Sequence, residues 1–180
     1  FHAAKRALTE ACERRGEPAE VNFLYGFRGY DIRFKNPLRG KVCVIIPTKD
    51  QAEVLATCLE TLFRITEHPD YEVLVVSNGS KEPALFQLLR RMEQAHPGRF
   101  RWFEHNVPFN FSALMNAARA HTEAEHLLYL NNDTEILHAD WMRAMHEWSQ
   151  RPTNGAVGAK LIYHNDIIQH AGVVIGLGGV

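Results

Sequence analysis

The chain has 180 residues, 46% of them hydrophobic, and its 20 Lys and Arg against 21 Asp and Glu leave a net charge of -1. The length suffices for one domain with a real core, and the apolar content excludes a disordered chain. The charge balance argues against a dedicated nucleic-acid surface, and no apolar run is long enough to span a bilayer.

Residues 1–40 read as a lead-in. Phe1 to Gly16 has the pattern of a charged amphipathic helix, not of a signal peptide, with Gly16 as a stop and Pro18 beyond it. Tyr25, Phe27, Tyr30 and Phe34 follow among glycines and charges, and NPLRG closes the stretch as a turn. From Lys41 the pattern changes. KVCVIIP is the β-branched run of a strand buried on both faces. Gln51 to Ile65 has helical spacing through Val54, Leu55, Cys58, Leu59 and Leu62. YEVLVVS reads as a second buried strand, and Pro83 opens the helix that ALFQLLRRMEQA continues. RFRWFEH is a third, more polar strand, and FSALMNAARAH a short helix with Asn110 as its cap. HLLYLNN reads as a fourth strand, buried in its apolar part and stopping on Asn131, Asn132 and Asp133. Ala139 to Gln150 forms another helix, with Trp141, Met142, Met145 and Trp148 as a core stripe. Two apolar segments, GAVGAKLIY and IIQHAGVVIG, complete the chain.

This alternation of strand and helix favours a mostly parallel sheet with helices on both faces, where ligands bind at the carboxyl ends of the strands. The residues of interest therefore follow the strands: Thr48-Lys49-Asp50, Ser77 to Ser80, the loop His105 to Asn110, and Asn131 to Asp133. All four stretches are polar. No GxGxxG follows the first strand and no GxxxxGKS occurs, so the phosphate cradles of a dinucleotide site and of a P-loop are missing. Phosphates would need another counter-charge, which Asp133 can supply by holding a divalent cation. Asp50 and Asn78 offer groups that read a base or ribose, and Asn116 lies where it can turn back toward the same cleft.

Plainer readings stand beside these. Asp133 can cap the turn before the next helix, and Asp50 can be the N-cap of a helix that begins at Gln51. Asn78-Gly79 is a common turn pair, and Asn116 can lie on the outer face of its helix. His170 reads as a hydrogen-bonded core histidine rather than a metal ligand. The 3 cysteines, Cys12, Cys43 and Cys58, stand at no metal spacing and read as buried free thiols in a reducing, cytoplasmic compartment. The chain starts without Met and stops just after an apolar segment, which predicts a piece of something larger. The apolar end VVIGLGGV predicts a missing continuation and a tendency to self-associate.

Taken in order, VCVIIPTKD, VLVVSNGS, NFSALMNAA, YLNNDTEI before a helix containing Trp141, and GAVGAKLIY…IQHAGVVIG resemble the family 2 glycosyltransferases. The resemblance covers Lys41 to Val180. It is most marked to bacterial members that build rhamnose-containing and O-antigen-like surface polysaccharides, whose lead-in residues 1–40 also resemble. It implies a GT-A fold over 41–180, incomplete at the C-terminus, and a UDP- or dTDP-linked sugar donor. It further implies Mn2+ or Mg2+, a saccharide or lipid-linked saccharide acceptor, no nucleic-acid partner, and peripheral association of the longer protein with the inner face of the membrane. By the same resemblance Pro47, Thr48, Asp50, Ser77, Asn78, Asn110, Asn116, Asn131 and Asn132 contact the nucleotide, and His170 lies on the acceptor side. The family's acidic residue after the second strand is replaced here by Ser77-Asn78. Its Asp-x-Asp metal motif matches Asn131-Asn132-Asp133, of which Asp133 alone keeps the charge. The implied reaction is inverting transfer, with a catalytic base from a segment beyond residue 180. A non-catalytic nucleotide-binding or interaction module of the same shape is the alternative. A nucleotidyltransferase would want a glycine- and lysine-rich loop, and PTKDQAE has no glycine.

Overall fold

The computed structural model describes residues 2–25 and 29–172. The chain forms two compact units: residues 39–143, and residues up to 38 together with those from 144 on. Helix α1 (His2–Arg14) buries Cys12. Strands β1 (Ala19–Leu24) and β2 (Gly29–Phe34) then pair antiparallel, from Ala19 opposite Phe34 to Leu24 opposite Gly29. The sequence marked the aromatics of this hairpin without predicting its strands. Both strands are half-buried, and charged residues interrupt their alternation.

The unit of residues 39–143 is an α/β layer. Its elements are β3 (Val42–Thr48), α2 (Ala52–Ile65), β4 (Tyr71–Ser77), α3 (Pro83–Ala95), β5 (Phe100–Glu104), α4 (Phe111–Arg119) and β6 (His126–Tyr129). The sheet has order β5-β4-β3-β6, and every pair is parallel. Alternate side chains of β3 serve opposite faces. Val42, Val44 and Ile46 pack with Leu55, Leu59 and Leu62 of α2 and with Leu85 and Leu89 of α3. Cys43 and Ile45 pack with Leu114, Met115 and Ala118 of α4 on the other. Each such apolar side chain taken fully from water contributes about 1.5–3 kcal/mol. The helical spacing of α2 holds, except that Val54 faces solvent.

β6 differs from its expectation. It is half-buried, and Tyr129 is exposed. The reason is position: β6 ends the sheet beside β3, so one long side of it lacks a strand neighbour among the described residues.

The last helix, α5 (Trp141–Ser149), starts two residues later than the sequence suggested. Met142 joins the core of the α/β layer. Beyond Ala144 the residues belong to the other unit, where Glu147 receives both arms of Arg33 at 3.0 and 3.1 Å and the Phe34 amide at 3.1 Å. In that same unit Arg151 grips both carboxylate oxygens of Glu17 at 2.7 Å and lies over the rings of Phe34 and Trp148. Strands β7 (Leu161–Ile162) and β8 (Ile168–His170) pair antiparallel. His170 is exposed on β8, so the core reading of it is corrected: this short hairpin is largely solvated. VVIGLGGV, residues 173–180, and Phe27 lie outside the described residues. The 3 cysteines are buried free thiols, as expected.

Candidate functional site

The strand register decides where the polar loops meet. Thr48 ends β3 opposite Ser77 of β4, and Ser77 lies opposite Glu104 of β5. The chain runs outward from β3 through β4 to β5, then returns to the other side of β3 as β6. The carboxyl ends of β3 and β6 therefore flank the point where strand order reverses, the place where open parallel sheets bind ligands. An open cleft of about 290 Å³ lies there. Pro47, Thr48, Lys49 and Gln51 line it after β3, Asn78 after β4, and Asn131 and Asn132 after β6. Phe109, Phe111 and Leu114 line it from the start of α4.

The loops are cross-braced. Asn132 Nδ2 donates to Thr48 Oγ1 at 3.1 Å, which ties the β6 loop to β3. Asn78 is buried and donates through Nδ2 to the carbonyls of His105 and Val107 at 2.7 and 2.9 Å. Its backbone N–H donates to the Thr48 carbonyl at 2.9 Å. Asn78 thus spends both amide protons on holding the β5 loop, and its Oδ1 accepts no hydrogen bond among the described residues. Ser77 Oγ bonds Ser80 Oγ at 2.9 Å and is fully buried.

Asp50 has a role other than capping its own helix. Helix α2 starts at Ala52, with Gln51 before it. The Asp50 carboxylate crosses instead to α3, where Oδ1 accepts from the amides of Lys81 at 2.6 Å and Glu82 at 2.8 Å. Those bonds, from Lys81 first and Glu82 next, hold its carboxyl below the usual carboxylate range. Glu82 returns the favour by accepting from the Ala52 amide at 3.1 Å, so each helix start is capped from the other loop. The backbone at Asp50 and Gln51 is left-handed, at φ 53 and 58.

Asp133 does not cap a helix, because α5 begins only at Trp141. It sits exposed in a turn closed by the Thr134 amide on the Asn131 carbonyl at 3.3 Å. Among the described residues its carboxylate makes no hydrogen bond or ion pair. Below the turn, Cys58 Sγ lies 3.8 Å from the Asn131 carbonyl. Burial first, and then the charges of Asp133 and Glu135, push its thiol up to about 12. Among the described residues no group of three or more His, Cys, Asp or Glu is placed to hold a metal ion. One free carboxylate beside two asparagine amides fits a hard cation only where a ligand's oxygens and water fill its other positions.

Of the residues singled out from the sequence, Pro47, Thr48, Asn78, Asn131 and Asn132 line the cleft. Asn110 caps α4 by accepting from the Ala113 amide at 3.0 Å. Asn116 is exposed and is not a lining residue, so its turn toward the cleft is corrected; the buried face of α4 is Leu114, Met115 and Ala118. His170 belongs to the other unit. Sequence reasoning placed Lys49 and Phe109 inside the strand-end stretches of interest without giving either a role, and did not single out Gln51, Phe111 or Leu114. Two signals were present: a lysine inside a strand-end stretch, and aromatics on either side of Asn110 in a loop that otherwise reads as polar.

Residues 43–172 match the family model described as Glycosyl transferase family 2. The chain is 40% identical over 179 residues to the O-antigen biosynthesis protein RfbC of Myxococcus xanthus, covering 98% of this chain and 14% of that protein. It is 39% identical over 180 residues to the uncharacterized protein y4gI of Sinorhizobium fredii, covering 99% of this chain and 20% of that one. The chain thus spans a fifth or less of these relatives' length. Among solved structures, a mannosyltransferase of Pyrobaculum calidifontis in complex with GDP-Man and Mn2+ superposes with TM-score 0.58 at 23% identity. That alignment covers 66% of this chain and 37% of that one, and the likeness is one of fold.

Proposed function

The chain belongs to glycosyl transferase family 2, and from that premise we propose that it is the donor-binding part of an enzyme of bacterial surface polysaccharide synthesis. The donor is a UDP- or dTDP-linked sugar, and the acceptor is a saccharide. The observation that carries this reading is the cleft at the reversal of strand order, lined by asparagine amides and two phenylalanine rings, with the unengaged carboxylate of Asp133 one residue beyond Asn132. Asn78 Oδ1, Asn131 and Asn132 supply hydrogen-bonding groups for base and ribose, and Phe109 and Phe111 give an apolar face for a planar ring.

Transfer proceeds with inversion. An acceptor hydroxyl oxygen forms a bond to the anomeric carbon as the bond from that carbon to the diphosphate oxygen breaks, and the hydroxyl proton passes to a carboxylate base. Among the described residues no carboxylate lines this cleft, so the base is one that the described lining does not provide. Asp133 is the ligand that would hold Mn2+ or Mg2+ here, and such an ion, when bound, supplies positive charge to the leaving diphosphate. With a single protein carboxylate, the site should take up metal well only together with nucleotide.

Calorimetric titration with UDP, dTDP and GDP, with and without Mn2+, tests this on the chain and on Asp133→Ala. One nucleotide should bind, Mn2+ should strengthen it, and the substitution should remove that strengthening. Absence of binding to a chain shown to be folded would favour a non-catalytic module instead.

A further inference from the structure

Among the described residues the cleft has one charged lining residue. No described carboxylate lines it, and the single charge is the cation of Lys49. Lys49 is exposed, and among the described residues it makes no hydrogen bond or ion pair. Its nearest acid in sequence, Asp50, feels the Lys49 charge but forms no ion pair with it, and spends Oδ1 on the Lys81 and Glu82 amides at 2.6 and 2.8 Å. A lysine with a fixed backbone and no ion-pair or hydrogen-bond partner among the described residues, opening on a polar cleft, leaves a positive charge for the occupant to satisfy.

The backbone around it is pinned on both sides. Before it, Thr48 is paired in the sheet opposite Ser77 and receives the Asn132 amide. After it, Asp50 and Gln51 hold left-handed conformations at φ 53 and 58, fixed by the Asp50 amide on Ser80 Oγ at 3.0 Å and by the carboxylate bonds above. Left-handed non-glycine residues cost about 1–3 kcal/mol each and persist where their surroundings over-determine them, often at ligand sites. The strain here aims the β3 loop at the cleft before any ligand arrives. Phe109, 76% exposed, and Phe111, 45% exposed, present rings to the same space.

We infer that Lys49 holds the diphosphate of the donor, and that it does so without a metal ion. The inference rests on the donor-binding reading above and divides the labour within it. Lys49 meets the phosphates in the cleft itself, and Asp133, outside the lining, adds a second, metal-borne charge. The missing phosphate cradle and the reduced metal motif are then compensated by one cation.

The test is calorimetric titration in EDTA with UDP, dTDP, uridine, thymidine and inorganic pyrophosphate, on the wild-type chain, Lys49→Met and Lys49→Arg. Lys49→Met should weaken the preferred nucleoside diphosphate and pyrophosphate by about tenfold or more and leave the nucleoside unchanged. Lys49→Arg should recover most of the loss, because it keeps the charge. Unchanged diphosphate binding in Lys49→Met overturns the inference and leaves the donor-binding reading standing. An equal loss for nucleoside and diphosphate also overturns it, since that marks a packing effect. A folded wild-type chain that binds neither UDP nor dTDP, with or without Mn2+, overturns both.

Discussion

At Asp50 a single carboxylate decides the shape of the β3 loop. Its two amide bonds to Lys81 and Glu82 and the bond from its own amide to Ser80 are what oppose the strain of the left-handed pair Asp50-Gln51. The negative charge also sits at the start of α3, where the helix dipole favours it. Asp50→Ala should therefore lower the thermal midpoint of unfolding and weaken nucleoside diphosphate binding together, because the loop that carries Lys49 loses its anchor. Asp50→Asn, which keeps one acceptor oxygen, should fall between. Wild-type affinity in Asp50→Ala would show that the loop holds its form without the clamp. Asp133 differs in kind: with no partner among the described residues, its loss should leave stability unchanged and alter metal-linked binding alone.

Among the elements, β4 carries a charge inside the sheet's cover. Glu72 is buried, yet its Oε1 receives the Thr122 hydroxyl and Arg101 Nη2 at 3.1 Å, and Lys41 Nζ lies 3.4 Å from Oε2. Burial alone would raise its carboxyl; the Thr122 bond and the charges of Arg101 and Lys41 outweigh it and hold the group below its ordinary value. A carboxyl that titrates lower when folded contributes stability in full above the unfolded value of about 4.3, and loses it as pH falls through the folded value. Glu72→Gln should cost about 1–3 kcal/mol at pH 7, and the difference from wild type should shrink toward pH 3 in urea unfolding. A difference independent of pH would contradict this. The elements differed in how well the sequence announced them. β3 and β4 are buried on both faces and read as apolar runs, broken in β4 by Glu72 alone before the closing Ser77, and Asn110 caps α4 as its residue type suggested. β6 is an edge strand, and β1 and β2 are half-buried, so their weaker patterns gave a wrong burial in one case and no strands in the other.

For the whole chain, topology carried more of the site than side-chain identity did. Alternating strands and helices place all strand ends on one edge, and that alone brought Thr48, Asn78 and Asn132 to one cleft. What could not be read was which way each side chain turns. Asp50 faces α3, Asn116 faces solvent, and Lys49 and Phe109 line the cleft; these depend on loop torsions and cross-loop bonds between residues about 30 positions apart, such as Asp50 to Glu82. The pairing of Arg33 with Glu147 was likewise beyond local pattern, since it joins residues 114 positions apart. No described helix is long and apolar enough to cross a membrane.

The central claim is that a nucleoside diphosphate occupies this cleft with its metal at Asp133. Paramagnetic broadening of amide signals by Mn2+, recorded with and without UDP or dTDP, tests it most directly. The account predicts that the amides of Asn131 to Thr134 and of Lys49 broaden only when nucleotide and Mn2+ are both present, and that Asp133→Ala abolishes the effect. Nucleotide-dependent broadening centred elsewhere in the chain, or none while nucleotide is bound, would contradict it.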